Sequence, residues 1–291
     1  MAENQLTQLR SKSRNVKIHR DLGTVVIGER INPTGRKAVL EALQAGNFEM
    51  VRQDALAQVA AGAAVLDVNA GVPGADEPQL MVEILRNVQV VVDVPLCIDT
   101  ANPAALAAAL AHYEGKALVN SVNGEARSLE SVLPLVKEHG AAVIGLCMDD
   151  GGIPKTAGER LVVAARIIER AGALGIGVED VVIDPLAMAM SAESGAGRVT
   201  LETIGLVVKE FGVNISMGAS NVSFGLPDRK YVNATFMAMA IQAGLTCPIT
   251  NPLQVEVSTA ILAADLALGR DELGMRWIKA YRKREKALVK A

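Results

Sequence analysis

Eight short runs of apolar and β-branched residues recur along the chain, each separated from the next by a longer stretch. In order they are TVVIGERI (24–31), AVLDVNA (64–70), LCIDT (96–100), ALVNSV (117–122), AAVIGLC (141–147), VVIDP (181–185), NISMGAS (214–220) and CPITNP (247–252). They are apolar nearly throughout rather than alternating, which implies strands covered on both faces. The stretches between them, such as PAALAAALAHY (103–113) and ERLVVAARIIERAGAL (159–174), carry helical periodicity. Asn102 before Pro103 is a helix-start signal, because a proline at the first helical position gives up an N–H that had no partner anyway. Eight such strand–helix units predict an α/β fold, a single-domain (β/α)8 TIM barrel. A doubly wound open sheet usually has fewer strands, and the GxGxxG turn it often uses is missing. A length of 291 residues suits one barrel of about 250 residues. No linker or low-complexity tract divides it. Residues 1–23 read as a polar, basic N-terminal arm, expected to pack loosely, and residues 24–291 as the barrel domain.

Composition narrows the function classes. Half of the residues are hydrophobic but only 3% are aromatic, so the core is aliphatic. With 29 basic and 32 acidic residues the net charge is −3, and no nucleic-acid partner is expected. No run of 18 apolar residues is present and the first 20 residues hold no apolar leader core, so no membrane span and a cytoplasmic location are expected. Cys97, Cys147 and Cys247 are far apart and sit in strand-like runs, which predicts buried reduced thiols rather than metal ligands.

In a barrel of this kind the chemistry sits where strands end and loops begin. The runs end in Glu29, Arg30 and Asn32, then Asp67 and Asn69, Asp99, Asn120 and Asn123, Asp149 and Asp150, Asp184, Ser220 and Asn221, and finally Asn251. All are expected at one mouth. The set holds no histidine: His19 lies in the arm, and His112 and His139 fall at helix ends on the far side. That leaves no Ser–His or Cys–His nucleophile and no zinc site, and no lysine ends a strand to form a Schiff base. What remains is a pocket of aspartates and asparagines, suited to a flat, nitrogen-rich heterocycle. A carboxylate accepts two parallel N–H bonds from an amino-pyrimidinone edge, and an amide both donates and accepts. Guanine-like edges and pterins both fit. Any one of these residues has a plainer role as a turn or helix cap. That role is harder to hold for Asp99, Asn120, Asp184 and Asn221 together.

The segments GERINPTGR, LDVNAG, CIDTANP, NSVNGE, IDPL and GASNVSFG, in this order, resemble the pterin-binding methyltransferases. More closely, the chain looks like the methyltetrahydrofolate:corrinoid protein methyltransferases, from about residue 24 to 268. It is also similar to the folate domain of cobalamin-dependent methionine synthase and, more distantly, to dihydropteroate synthase. The resemblance implies a (β/α)8 barrel, usually a homodimer, with the pterin in the mouth. It implies pterin anchors at Asp99, Asn120 and Asp184, an N5 contact from Asn221, and a binding set completed by Ser220, Asp67 and Asn69. The implied reaction exchanges a methyl group between N5 of tetrahydrofolate and the cobalt of a corrinoid (cobalamin) carried by a partner protein. Tetrahydrofolate and 5-methyltetrahydrofolate are then substrates, and this chain itself binds no metal. Asn221 is the expected catalytic residue, supported by Asp99. The direction read here runs from methylated corrinoid protein to tetrahydrofolate, as in anaerobic O-demethylase systems. Phe224 stands where some members have glutamine, exchanging a polar contact for an apolar or stacking one. A dihydropteroate synthase-like enzyme is the alternative, with Arg30, Arg36 and Lys37 near the first run, although SNVSFG and CPITNP carry no basic residue. A non-catalytic folate-binding module is the other alternative. The basic C-terminal segment 271–291 reads as a solvated last helix or a docking surface for a partner.

Overall fold

The computed structural model describes residues 2–288. The last three residues of the basic C-terminal segment lie outside the described residues. Each of the eight apolar runs contains one parallel strand: β3 (Ile27–Ile31), β4 (Val65–Asn69), β5 (Leu96–Asp99), β6 (Leu118–Asn123), β7 (Ala142–Leu146), β8 (Val181–Asp184), β9 (Ser216–Gly218) and β10 (Cys247–Thr250). They are hydrogen-bonded in the order β8-β7-β6-β5-β4-β3-β10-β9. A parallel bridge between Ile183 and Ile215 brings the last strand back to β8 and closes the ring. Ten helices are described: α1 (Lys37–Gln44), α2 (Glu49–Ala61), α3 (Glu77–Val91), α4 (Pro103–His112), α5 (Ala126–His139), α6 (Ala157–Ala173), α7 (Ala196–Phe211), α8 (Arg229–Ala243), α9 (Val255–Ala267) and α10 (Met275–Leu288). The first crossover carries two helices, α1 and α2, and α10 follows the last unit. Asn102 caps α4 as its sequence predicts, its Oδ1 accepting from the N–H groups of Ala104 and Ala105 at 3.0 and 3.4 Å. None of the described helices is long and apolar enough to cross a membrane.

The continuous hydrophobicity of the strands is explained by two cores. One lies between sheet and helices and takes the residues facing out of the barrel, among them Leu66, Ile98, Val119, Val143 and Ile183. The other fills the barrel itself and takes their neighbours: Ile27, Val65, Cys97, Leu118, Ile144, Val182 and Cys247. Side chains alternate across a strand, so inward-facing positions continue two residues further along at Glu29, Asp67, Asp99, Asn120 and Asp184. The polar end of each strand therefore sits directly above its apolar filling.

The arm differs from its expected looseness. Residues Thr7–Arg10 (β1) and Asn15–Ile18 (β2) pair as an antiparallel hairpin. Leu9 and Ile18 are fully buried in the same core that fills the barrel. The hairpin is held by Asn214, just before β9, whose Nδ2 donates to Thr7 Oγ1, Gln5 O and Ile18 O at 2.9 to 3.0 Å. Apolar side chains at the bottom of a barrel must be shielded from water, and here the arm provides the shield.

Beside it, Asp265 at the end of α9 is fully buried. It accepts from the N–H and Oγ1 of Thr24 at 2.8 and 2.7 Å and pairs with Arg276 at 3.0 Å and Arg270 at 3.6 Å. That cluster ties the start of the barrel to α10.

Candidate functional site

Above the filling, the strand ends open into a cavity of about 450 Å³, within the range of small-molecule sites. Of the expected site residues, Asp67, Asp99, Asn120, Asp184, Ser220 and Asn221 all line it, together with Glu29, Arg30, Asn32 and Asn251. Others do not reach it. Asn69 stands behind Asp99, donating from Nδ2 to Asp99 Oδ2 at 3.0 Å while its Oδ1 accepts the N–H of Gly71. Asn123 turns the chain into α5, its Oδ1 accepting from the N–H of Glu125. Asp149 pairs with Arg166 at 3.0 Å and lines a separate cleft. Asp150 is exposed and lies outside the lining. Lys37 points away and meets Glu41.

The carboxylates are held with some of their valences spent. Asn120 Nδ2 donates to Asp67 Oδ1 at 3.2 Å, which leaves the carbonyl of that amide free as an acceptor. Burial and the neighbouring Asp99 carboxylate push Asp67 well above the usual carboxylate range. Asp99 is also raised, mainly by burial, with the Asn69 bond pulling it back and Glu77 adding to the rise. Asp184 is buried in its pocket, and that burial lifts it to about 6 against the opposing bonds from the N–H groups of Leu186 and Gly218 and the charge of Arg160. Three acids whose charged forms burial disfavours, in one small cavity, mark a candidate ligand site. Asn221 is different: its amide is exposed, and among the described residues its side chain has no hydrogen-bond partner.

Several supporting contacts carry no signal in the local sequence. Arg160, near the start of α6, is 2% exposed. It donates to the carbonyls of Pro154, Pro185 and Leu186 at 2.8 to 2.9 Å. Leu186 is thereby held at φ 64°, a left-handed conformation that a leucine rarely adopts. From there its N–H reaches Asp184 Oδ1 at 2.7 Å. Arg160 thus aims a carboxylate it does not touch. On the first strand, Gln58 Oε1 accepts the N–H of Arg30 at 2.9 Å. A Cβ at residue 28 would sit 2.5 Å from that oxygen, so Gly28 is what lets the glutamine approach. Arg36 lines the cavity from the β3–α1 loop and shares Asp54 with Arg30. Among the described residues no cluster of three or more His, Cys, Asp or Glu is placed to hold a metal ion.

Comparison with known proteins bears on the family and the fold. The family model described as pterin binding enzyme matches residues 28–251. The chain is 32% identical over 266 residues to the methylcorrinoid:tetrahydrofolate methyltransferase of Eubacterium limosum, covering 89% of this chain and 96% of that protein. It is 30% identical over 248 residues to the methionine synthase of Mycobacterium tuberculosis, covering 81% of this chain but only 21% of that much longer enzyme. Among solved structures, the dihydropteroate synthase of Yersinia pestis with a pterine-sulfa conjugate superposes with a TM-score of 0.67 at 17% identity, over 90% of this chain and 99% of its own. That of Xanthomonas albilineans with 4-aminobenzoic acid gives 0.67 at 18%, over 91% and 99%. At such identities these two show a shared fold.

Proposed function

Because the chain belongs to the pterin binding enzyme family, we propose that it is a methyltransferase acting between the cobalt of a corrinoid protein and N5 of tetrahydrofolate. The direction we assign is from the methylated corrinoid protein to tetrahydrofolate, the order in which the name of the Eubacterium limosum relative places donor and acceptor. The observation that carries the reading is the unpartnered amide of Asn221 at the edge of a cavity otherwise lined by Asp99, Asn120 and Asp184.

The division of labour follows from the donor and acceptor inventory. A pterin presents N–H donors along its pyrimidinone edge. Asp184 and Asp99 are acceptors with lone pairs to spare, and Asn120, its amide nitrogen committed to Asp67, offers a carbonyl. These three hold the ring. The corrinoid, carried by its own protein, would supply the carbon–cobalt bond that breaks, with the electron pair of that bond staying on cobalt. As the N5 lone pair bonds the methyl carbon, N5 gains positive charge while still carrying its proton. The Asn221 carbonyl accepts that N–H and faces the developing charge, after which the proton leaves to solvent. A polar group aimed at charge that develops only in the transition state contributes most to rate and little to binding. Asp99 supports the ring rather than Asn221 directly, since its own amide partner is Asn69.

The test is anaerobic calorimetry with tetrahydrofolate and 5-methyltetrahydrofolate, followed by methyl transfer from methylcobalamin as a surrogate donor. For Asn221→Ala the rate should fall by about 10²- to 10³-fold, while folate affinity changes by less than about threefold. Equal losses in both would make Asn221 a binding residue only. No folate binding by the wild-type protein would sink the methyltransferase assignment.

A further inference from the structure

The cavity is charged unevenly around its rim. Asp67, Asp99 and Asp184 stand on β4, β5 and β8, and the β3 side carries two guanidiniums. Arg30 Nε lies 3.0 Å from Asp54 Oδ1, and Arg36 Nη1 lies 2.5 Å from Asp54 Oδ2. One carboxylate between two guanidiniums leaves a positive charge over. The cluster is set into the protein: the side chain of Asp54 is 12% exposed and those of Arg30 and Arg36 are 29% and 25% exposed. Each guanidinium has five N–H donors in a fixed fork. Arg36 Nη1 serves both Asp54 and the carbonyl of Arg30, and Arg30 uses only its Nε. Among the described residues, both terminal nitrogens of Arg30 and the Nε and Nη2 of Arg36 have no acceptor. Glu29, the other carboxylate on this side, also lines the cavity; burial raises it, while Arg229 and Arg30 pull it back.

We propose that Arg30 and Arg36 form an anion subsite receiving the charged end of the substituent on the pterin ring. The proposal rests on the pterin reading above. A ring whose donor edge meets Asp99, Asn120 and Asp184, with N5 at Asn221, carries its C6 substituent beside N5. That substituent leaves over β9, β10 and β3, which are neighbours in that order, and so towards the arginines. Planar guanidiniums take carboxylate and phosphate alike. The anion is therefore either the glutamate of a folate tail or a diphosphate ester on the pterin.

Calorimetric titration of the wild type, Arg36→Gln and Arg36→Lys with three ligands separates these. The ligands are 6-methyltetrahydropterin, which has no anion, tetrahydrofolate, and 6-hydroxymethyl-7,8-dihydropterin diphosphate. Arg36→Gln should weaken tetrahydrofolate tenfold or more, leave 6-methyltetrahydropterin within about twofold, and be partly rescued by Arg36→Lys. The same pattern for the diphosphate alone supports the subsite with phosphate as its ligand. Equal weakening of all three ligands, or no weakening of either anion, overturns it. Wild-type protein that fails to bind even 6-methyltetrahydropterin would fell the pterin reading and the subsite with it. Should the glutamine variant misfold, wild-type salt dependence decides. Affinity for the anionic ligands should fall with ionic strength while that for 6-methyltetrahydropterin holds, and parallel slopes would refute the subsite.

Discussion

The two ends of the barrel treat buried polar groups in opposite ways. At the floor, every polar side chain described above is answered by the protein itself: Asp265 by Thr24, Arg270 and Arg276, and Asn214 by three acceptors of the hairpin. At the mouth, Asp67, Asp99 and Asp184 are buried yet only partly answered, and the exposed amide of Asn221 has no protein partner among the described residues. Buried polar groups without partners cost stability. The floor is built for cohesion, whereas the mouth accepts a cost that a bound ligand would offset.

The contrast breaks most sharply at Asp265. Asp265→Ala strands Arg270 and Arg276 beside the Thr24 hydroxyl and should cost about 3 kcal/mol of unfolding free energy, read by denaturant titration. Folate affinity should stay unchanged; a parallel loss of binding would mean that the two ends are not independent.

Asp184 tests the other side. Its acid is raised to about 6, so between roughly pH 4 and 6 the folded state keeps a proton that the unfolded chain has released. That contribution to stability is complete at low pH and is lost as pH rises through 6. Asp184→Asn should remove this slope and stabilise the ligand-free protein at pH 8 by on the order of 2 kcal/mol, while folate binding weakens at least tenfold. For the wild type, affinity should climb between pH 5 and 7 as the carboxylate ionises. Superimposable stability–pH curves for the two proteins would contradict the mouth as a site of tolerated strain.

The smallest effect sharpens the comparison instead. Asn102 lies near the mouth but is fully occupied as a cap and by Glu77. Asn102→Ala should cost about 1 kcal/mol and leave the folate dissociation constant within about twofold, marking which polar residues there serve the helix alone.

Much of this was readable in the chain because the barrel writes itself locally. A strand covered on both faces must be apolar along its length, and the first inward position beyond that filling must be polar if the cavity is wet. Val182 and Asp184, Leu118 and Asn120, Cys97 and Asp99 are such pairs. The hairpin was harder to see, since TQLR and NVKI are four residues each and polar on one face. Their alternation, Thr7 with Leu9 and Val16 with Ile18, was the available clue. Arg160, and the pairing of Arg36 with Asp54, were illegible because the partners, Asp54 and the carbonyls of residues 185 and 186, come from distant stretches and from backbone rather than from any motif.

The plug at the floor also fixes an order of events. With the hairpin sealed into the barrel by Leu9 and Ile18, the cavity is a blind well whose traffic passes through the mouth. On the proposed methyl-transfer reading, a corrinoid protein bringing cobalt over N5 would lie across that same mouth. That reading then predicts that the folate arrives first and leaves last, giving compulsory-order kinetics. Product-inhibition patterns would reveal this, and random-order patterns would show that the lid and the well do not share a doorway.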